Sequence, residues 1–397
     1  MSNKENIQKA IHNISNFTDG LLNPEQATEF IKQLFQNTTL KDNARLVGMK
    51  SNKRELQKLG LGNRVAMLKQ YASIDNARKT TPSKIIMEAK SITTPFAIDD
   101  ELLDTNIEGK QLENTIIDLM TKRMAVDQQE FLTESDVMAP IVNNPTETGD
   151  KIRVGSTTAY TDTFLGSQDG YIKKTESCAT VDVANNSISD DVFYGMVQFL
   201  PRHFKADRST LRFLCPSEIE MDYRKNTAVR TTALGDQAKF GYPALTPYGI
   251  PLVACDAFPS KFRKTQLVAI SATAGQTSAL SYAPVQTSPI PVVVDQNALS
   301  TLFVEDVDYV INYTTGTITG VAGSLILGTT IKITYYTLPR VILTHSQNLI
   351  YGIWRDIKVL KDTEIFGDVL LYAIHCSISS AIEENDAIVV AKNVKVS

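Results

Sequence analysis

The chain of 397 residues carries 40 Lys and Arg against 44 Asp and Glu, a formal net charge of -4, with 43% hydrophobic and 21% charged residues. That length predicts two or three domains, and the composition excludes a disordered, collagenous or coiled-coil chain. The charge balance leaves no basic footprint for sequence-specific DNA recognition and no polybasic membrane patch.

The first segment predicts two amphipathic helices. Ile7, Ile11, Ile14 and Phe17 recur at helical spacing, and after Asn23 as cap and Pro24 at the first helical position a second stripe follows at Ala27, Phe30, Ile31, Leu34 and Phe35. Neither stripe has a local partner, so the segment reads as an arm that lies on another part of the fold or on another subunit. The start of the chain lacks the apolar run of a secretory signal, and no stretch approaches 18 consecutive apolar residues, so a soluble cytosolic product is expected.

Between Leu46 and Ile98, short apolar runs such as 64–68 and 84–88 flank the polar stretch 75–83. That alternation predicts a long hairpin with an exposed tip, which must rest on something else because a thin hairpin has no core of its own. From Gln111 to Leu132 the period becomes helical. Leu112, Ile116, Leu119, Met120, Met124 and Phe131 share one face, and Glu113, Asp118, Lys122, Asp127 and Glu130 occupy the other, read as a solvated face. Further on, a helix is expected over 191–200, a buried strand over 211–216, a helix with a capping signature opening at 216–220, and a strand over 249–255.

The sharpest change follows Lys264. No Asp, Glu, Lys or Arg occurs from Thr265 to Val294, and Thr314-Thr315-Gly316 marks a hairpin turn between Asp308–Tyr313 and Thr317–Thr319. With an alternating strand at Ile331–Tyr336, residues 264–338 read as a small all-β insertion, although seven strands cannot be counted in it. Strands are expected again at 340–344, 348–352, 369–378 and 387–391.

The chemistry-bearing residues are scattered. Cys178, Cys215, Cys255 and Cys376 show no paired spacing and read as buried reduced thiols. His12, His203, His345 and His375 form no metal motif, and His375 and Cys376 would point to opposite faces of one strand. No nucleophile elbow, P-loop or dinucleotide fingerprint occurs; Gly60-Leu61-Gly62 is a coincidence of three residues. No catalytic, cofactor-binding or metal-ligating residue is assigned, and the chain is expected not to be an enzyme.

Taken in order, several stretches resemble the major capsid proteins of tailed double-stranded DNA bacteriophages, the Hong Kong 97 fold. They are 22–27, 98–107, 169–173, 200–204, 222–224, 230–236, 249–251, 348–352 and 382–389. The resemblance spans nearly the whole chain outside the insertion. It implies an α+β fold with an N-terminal arm (1–44), an extended loop (45–98), a peripheral domain (99–190 and 369–397) carrying a spine helix at about 111–132, and an axial domain (191–263 and 339–368). The two last strands are expected in the peripheral sheet, and the insertion (264–338) resembles immunoglobulin-like modules. Implied partners are copies of the chain itself in hexamers and pentamers, portal and scaffolding proteins, a decoration protein, and packaged DNA held by non-specific contact, with no membrane. An encapsulin-like compartment and a phage tail-tube or sheath protein are the competing readings.

Overall fold

The computed structural model describes residues 11–12, 43–60, 81–99, 111–138, 141–142, 160–229, 245–298, 301–364 and 369–396. The chain divides into two units, one of Met1–Gln33, Leu46–Thr121 and Ile350–Glu383, the other of Leu34–Arg45, Lys122–Leu349 and Glu384–Ser397. Most of the arm, residues 61–80 and the stretch 230–236 lie outside the described residues. Among the described residues no helix is long and apolar enough to cross a membrane.

In chain order, β1 (Ile11–His12), β2 (Arg45–Gly48), β3 (Lys53–Gly60), β4 (Thr81–Glu88) and β5 (Lys90–Asp99) precede α1 (Gln111–Glu134). The strands β6 (Ile141–Val142) and β7 (Tyr160–Thr161) form a small pair. Then come α2 (Tyr171–Lys174), β8 (Ala179–Asp182), α3 (Asp190–Phe199), α4 (Arg202–Lys205), β9 (Leu211–Cys215), α5 (Ser217–Ala228) and β10 (Leu252–Ala254). Seven strands follow: β11 (Phe262–Ala269), β12 (Thr277–Ala279), β13 (Val292–Asp295), β14 (Leu302–Phe303), β15 (Tyr309–Asn312), β16 (Thr317–Gly320) and β17 (Thr330–Thr337). Last are β18 (Val341–His345), β19 (Leu349–Glu364), β20 (Val369–Ile382) and β21 (Ile388–Lys392).

The first unit is built on a sheet of order β1-β5-β20-β19-β2. Its spine is the antiparallel ladder of β5 with β20, in register from Asp99↔Val369 to Lys90↔Ile378. Phe96 stacks on Tyr372 across this ladder, with ring centres 5.0 Å apart, a cross-strand aromatic pair of the kind that stabilises sheets. The expected helical stripe through Ile11 is a strand at that residue: Ile11 and His12 pair with Ala97 and Ile98 on the open edge of β5. Glu113, read as solvated, instead accepts hydrogen bonds from Lys361 Nζ at 2.6 Å and the Tyr372 hydroxyl at 2.5 Å. Those two donors hold its carboxyl below the usual range. Along α1 the predicted apolar positions Leu112, Ile116, Met124 and Phe131 are buried.

In the second unit the sheet runs β10-β9-β18-β21-β8. Its core gathers Phe193 and Met196 from α3, Ile219 and Tyr223 from α5, and Phe213, Leu343 and Val389 from the strands. Phe193 meets Phe213 and Tyr223 edge-on at 4.7 and 5.0 Å. The expected strand 387–391 is present, but it pairs with β18 and β8 instead of joining the sheet of β20. Four consecutive buried residues, Ile388 to Ala391, suit an interior strand covered on both faces. The helix at 217 lacks the predicted side-chain cap. Pro216 occupies the cap position, and the Ser217 hydroxyl donates to Glu218 at 3.3 Å. The strand expected from 249 begins only at Leu252, because Pro247–Gly249 forms a tight turn with Tyr248 at φ 55.

Residues 262–337 fold as two sheets, β11-β17-β13-β14 and β12-β16-β15, around a core that includes Val268, Val293, Tyr309, Ile318, Ile331, Ile333 and Tyr335. Seven strands are therefore present where the sequence pattern showed fewer. The predicted turn closes β15 onto β16: Asn312 Oδ1 accepts from the N–H groups of Thr314 and Thr315 at 3.1 Å, and Gly316 supplies the positive φ.

Asn348, 4% exposed, ties the β18–β19 corner to the segment after β20. Its side chain donates to the Glu384 carbonyl at 2.9 Å and accepts from the Glu384 N–H at 2.8 Å. Replacing Asn348 by Ala removes both bonds at a buried site and is expected to cost about 2–4 kcal/mol. A urea midpoint unchanged from the native chain would contradict this.

Candidate assembly surfaces

Among the described residues no three His, Cys, Asp or Glu side chains stand close enough to hold a metal ion. None of the four cysteines is in a disulfide. Cys215 and Cys376 are buried, and burial pushes the Cys178 thiol up to about 11. Such thiols are poor nucleophiles. The histidines sit on four separate elements, and His375 Nδ1 is engaged by the Thr93 hydroxyl at 2.8 Å. What the chain offers is surface.

The first surface is the hairpin of β3 and β4, antiparallel from Lys53↔Glu88 to Gly60↔Thr81. Among the described residues it is anchored at its root. Val47, Met49, Met87 and Ala89 pack with Ile350 and Ala381, while Leu56 and Ile85 lean on that cluster. Beyond the root, Ile86 is half-exposed opposite Glu55, and Lys84 pairs with Glu55 at 3.1 Å in the open, a contact worth little. An extended ribbon with an apolar residue facing out is a surface awaiting cover.

The second surface consists of exposed apolar side chains on the helices and the turn that flank the sheet of β8–β10. Tyr194, Phe199, Met221 and Tyr248 expose 51, 60, 60 and 42% of their surface. Tyr194 and Tyr248 lie ring to ring at 5.8 Å.

The third is the root of the two-sheet module, which the sequence pattern did not reveal. Lys264, placed by its charge at the edge of the insertion, is buried at 6% exposure and donates to both Glu176 oxygens at 2.8 and 2.7 Å. Lys173 bridges Glu176 at 3.5 Å and Asp136 at 3.2 Å, and Arg263 reaches Glu134 at 3.4 Å. On the exit side the Arg340 guanidinium lies 3.5 Å from the Phe262 ring centre and 4.5 Å from that of Tyr282. Networks of this kind fix orientation more than they add net stability. The module is clamped at its root. The one available sequence signal was that Lys264 and Arg340 bracket the β stretch.

No family profile matches the chain. It is 27% identical over 256 residues to the "Putative prophage capsid protein YqbE" of Bacillus subtilis (strain 168), a match covering 64% of this chain and 75% of that protein. Among solved structures it is similar to the capsid of a native GTA particle, with a TM-score of 0.51 and 15% identity over 96% of this chain and 98% of the other. The mature capsid of bacteriophage PhiM1 gives a TM-score of 0.48 at 9% identity, over 92% of this chain and 90% of that one. The match to the GTA capsid thus runs almost end to end in both chains. The chain has the α+β Hong Kong 97-type capsid fold.

Proposed function

We propose that this chain is the major capsid protein of a tailed phage or prophage, a structural protein and not an enzyme, whose copies close an icosahedral shell around a double-stranded DNA genome. The observation that carries this reading is the end-to-end match in fold to a capsid subunit, joined to sequence similarity with a prophage capsid protein. The hairpin, whose described residues pack at its root, supports it, because such a ribbon gains stability against a neighbouring copy.

In this reading the sheet of β5 and β20 with α1 is the peripheral domain, together with β19, which the resemblance had assigned to the axial part, and the sheet of β8–β10, β18 and β21 is the axial domain at the centres of hexamers and pentamers. The module of 262–337 is an immunoglobulin-like insertion displayed on the outer face, where its bulk takes no volume from the genome. Portal and scaffolding proteins are the partners such a shell needs during assembly, and the module is the natural seat for a decoration protein.

Negative-stain micrographs of the expressed chain should show closed round shells. Tubes would favour a tail protein, and shells filled with a protein cargo would favour an encapsulin-like compartment. Deleting residues 1–40 is expected to leave soluble subunits that form few or no closed shells; normal particles at normal yield would refute a role for the arm.

A further inference from the structure

The net charge of the chain is -4, yet residues 202–212 hold Arg202, Lys205, Arg208 and Arg212 with His203 against the single carboxylate of Asp207. Arg202, His203 and Arg208 are exposed and the other two cations half-exposed. A charged run is most often a solvated face with its charges paired or waving freely. Here neither holds. Among the described residues none of the four cations meets a carboxylate within ion-pair distance. Lys205 Nζ donates to the Gln198 carbonyl at 2.6 Å, Arg208 to the Tyr248 carbonyl at 3.3 Å, and Arg212 to the Ser209 and Leu211 carbonyls at 2.5 and 2.7 Å. A carbonyl positions a cation without neutralising it.

Asp207 does not cancel them either. Its carboxylate is taken by the Ser209 hydroxyl and N–H, at 2.5 and 3.1 Å, which hold its carboxyl below the usual range. Arg208 and Arg212 each commit one nitrogen to backbone carbonyls and present the rest of a planar fork, the geometry that matches a phosphate. The half-exposed rings of Tyr194 and Tyr248 lie alongside, tied in through the Arg208 bond.

We infer that Arg202, Lys205, Arg208 and Arg212 form a phosphate-binding strip, the last three held by backbone carbonyls, that lies against the sugar–phosphate backbone of the packaged duplex. The placement against a genome rests on the capsid reading above; the strip itself rests on the unneutralised charges. Binding through such a strip is independent of sequence and steeply dependent on salt, because each phosphate contact releases condensed counterions.

The test uses the full-length free subunit and a short DNA duplex, with binding measured from 50 to 200 mM salt. Variants are Arg202→Gln/Lys205→Gln/Arg208→Gln and, as an equal change in charge at exposed sites elsewhere, Lys50→Gln/Lys53→Gln/Lys225→Gln. Loss of three phosphate contacts should flatten the slope of log affinity against log salt by roughly 2.7. Over that salt range the native chain should therefore lose about 40-fold more affinity than the strip variant. The control variant should follow the native slope. Equal slopes for both variants would overturn the strip in favour of diffuse charge. A strip variant that binds DNA normally but no longer closes shells would make these residues a contact between copies. Retention of an acidic polypeptide with no measurable DNA binding would assign them to a protein partner, and either result would defeat the inference. Tubes in place of shells would sink the capsid reading whatever the slopes do, so the two failures are read separately.

Discussion

A subunit carrying Gly170→Ala is expected to be recovered mostly insoluble, with any soluble fraction unfolding at clearly lower urea. A methyl group at 170 would sit 2.5 Å from the Thr133 carbonyl oxygen, 2.7 Å from its carbon and 2.9 Å from the Leu132 oxygen. All three atoms are backbone at the end of α1, so no side chain can swing aside. That end is also pinned: the Thr133 hydroxyl donates to the Gln129 and Ala257 carbonyls at 2.8 and 2.9 Å. Gly170 cannot retreat either, because its N–H donates to Ser135 O at 2.7 Å and its carbonyl accepts from Lys174 N at 3.0 Å. Its φ of -80 is open to any residue, so space alone demands glycine here. Overpacking typically costs about 1–3 kcal/mol, and a clash with fixed backbone lies at or beyond the upper end. Gly48→Ala is the control, since a methyl there meets nothing within 4 Å. Native solubility and an unchanged midpoint for Gly170→Ala would refute the argument.

Replacing residues 262–337 with a short Gly/Ser linker between Lys261 and Leu338 is expected to leave subunits that still close shells, now lacking outer protrusions. The module's first and last strands are antiparallel neighbours, with Phe262 directly opposite Thr337. Its two ends are thus about 5 Å apart, and a linker of two or three residues spans the gap without moving β10 or β18. The module keeps its own core, so removing it opens no cavity in the sheet of β8–β10. Excision does undo the root: Glu134 and Glu176 lose Arg263 and Lys264 but regain water, which limits the penalty. Electron micrographs of the variant decide the matter. An unfolded subunit, or shells whose missing density lies on the inner wall, would reject the placement.

The elements legible in the sequence were those whose side chains repeat over many residues or carry a marked turn. The helix at 111–134 announces itself through Leu112, Ile116, Met124 and Phe131, and the β15–β16 hairpin through Thr314-Thr315-Gly316. β12 and β14, at three and two residues, are too short to show any period, which is why the module's strands were undercounted. β19 runs for 16 residues, but Asp356, Lys358, Lys361 and Asp362 along it mask an apolar alternation, so only its first residues were foreseen. The pairing of β21 and the clamp of Lys264 on Glu176 were hidden for another reason. Both join residues far apart in the chain, 88 positions in the case of the clamp, and local patterning says nothing about who meets whom.

The order of the strands also sets a timetable for synthesis. β20 lies between β5 and β19, and β21 lies between β18 and β8, so the two strands made last are interior members of the two five-stranded sheets. While translation has yet to reach Val369, neither sheet can be completed: β5 and β19 lack the strand that joins them, and β8 lacks the one that joins it to β18. The two-sheet module has no such debt: its strands all lie within 262–337, its contacts are comparatively local, and it can fold as it emerges. A nascent chain therefore displays a finished module on an unfinished body, and copies crowded on one messenger RNA cannot begin to associate through the sheets until each is nearly complete.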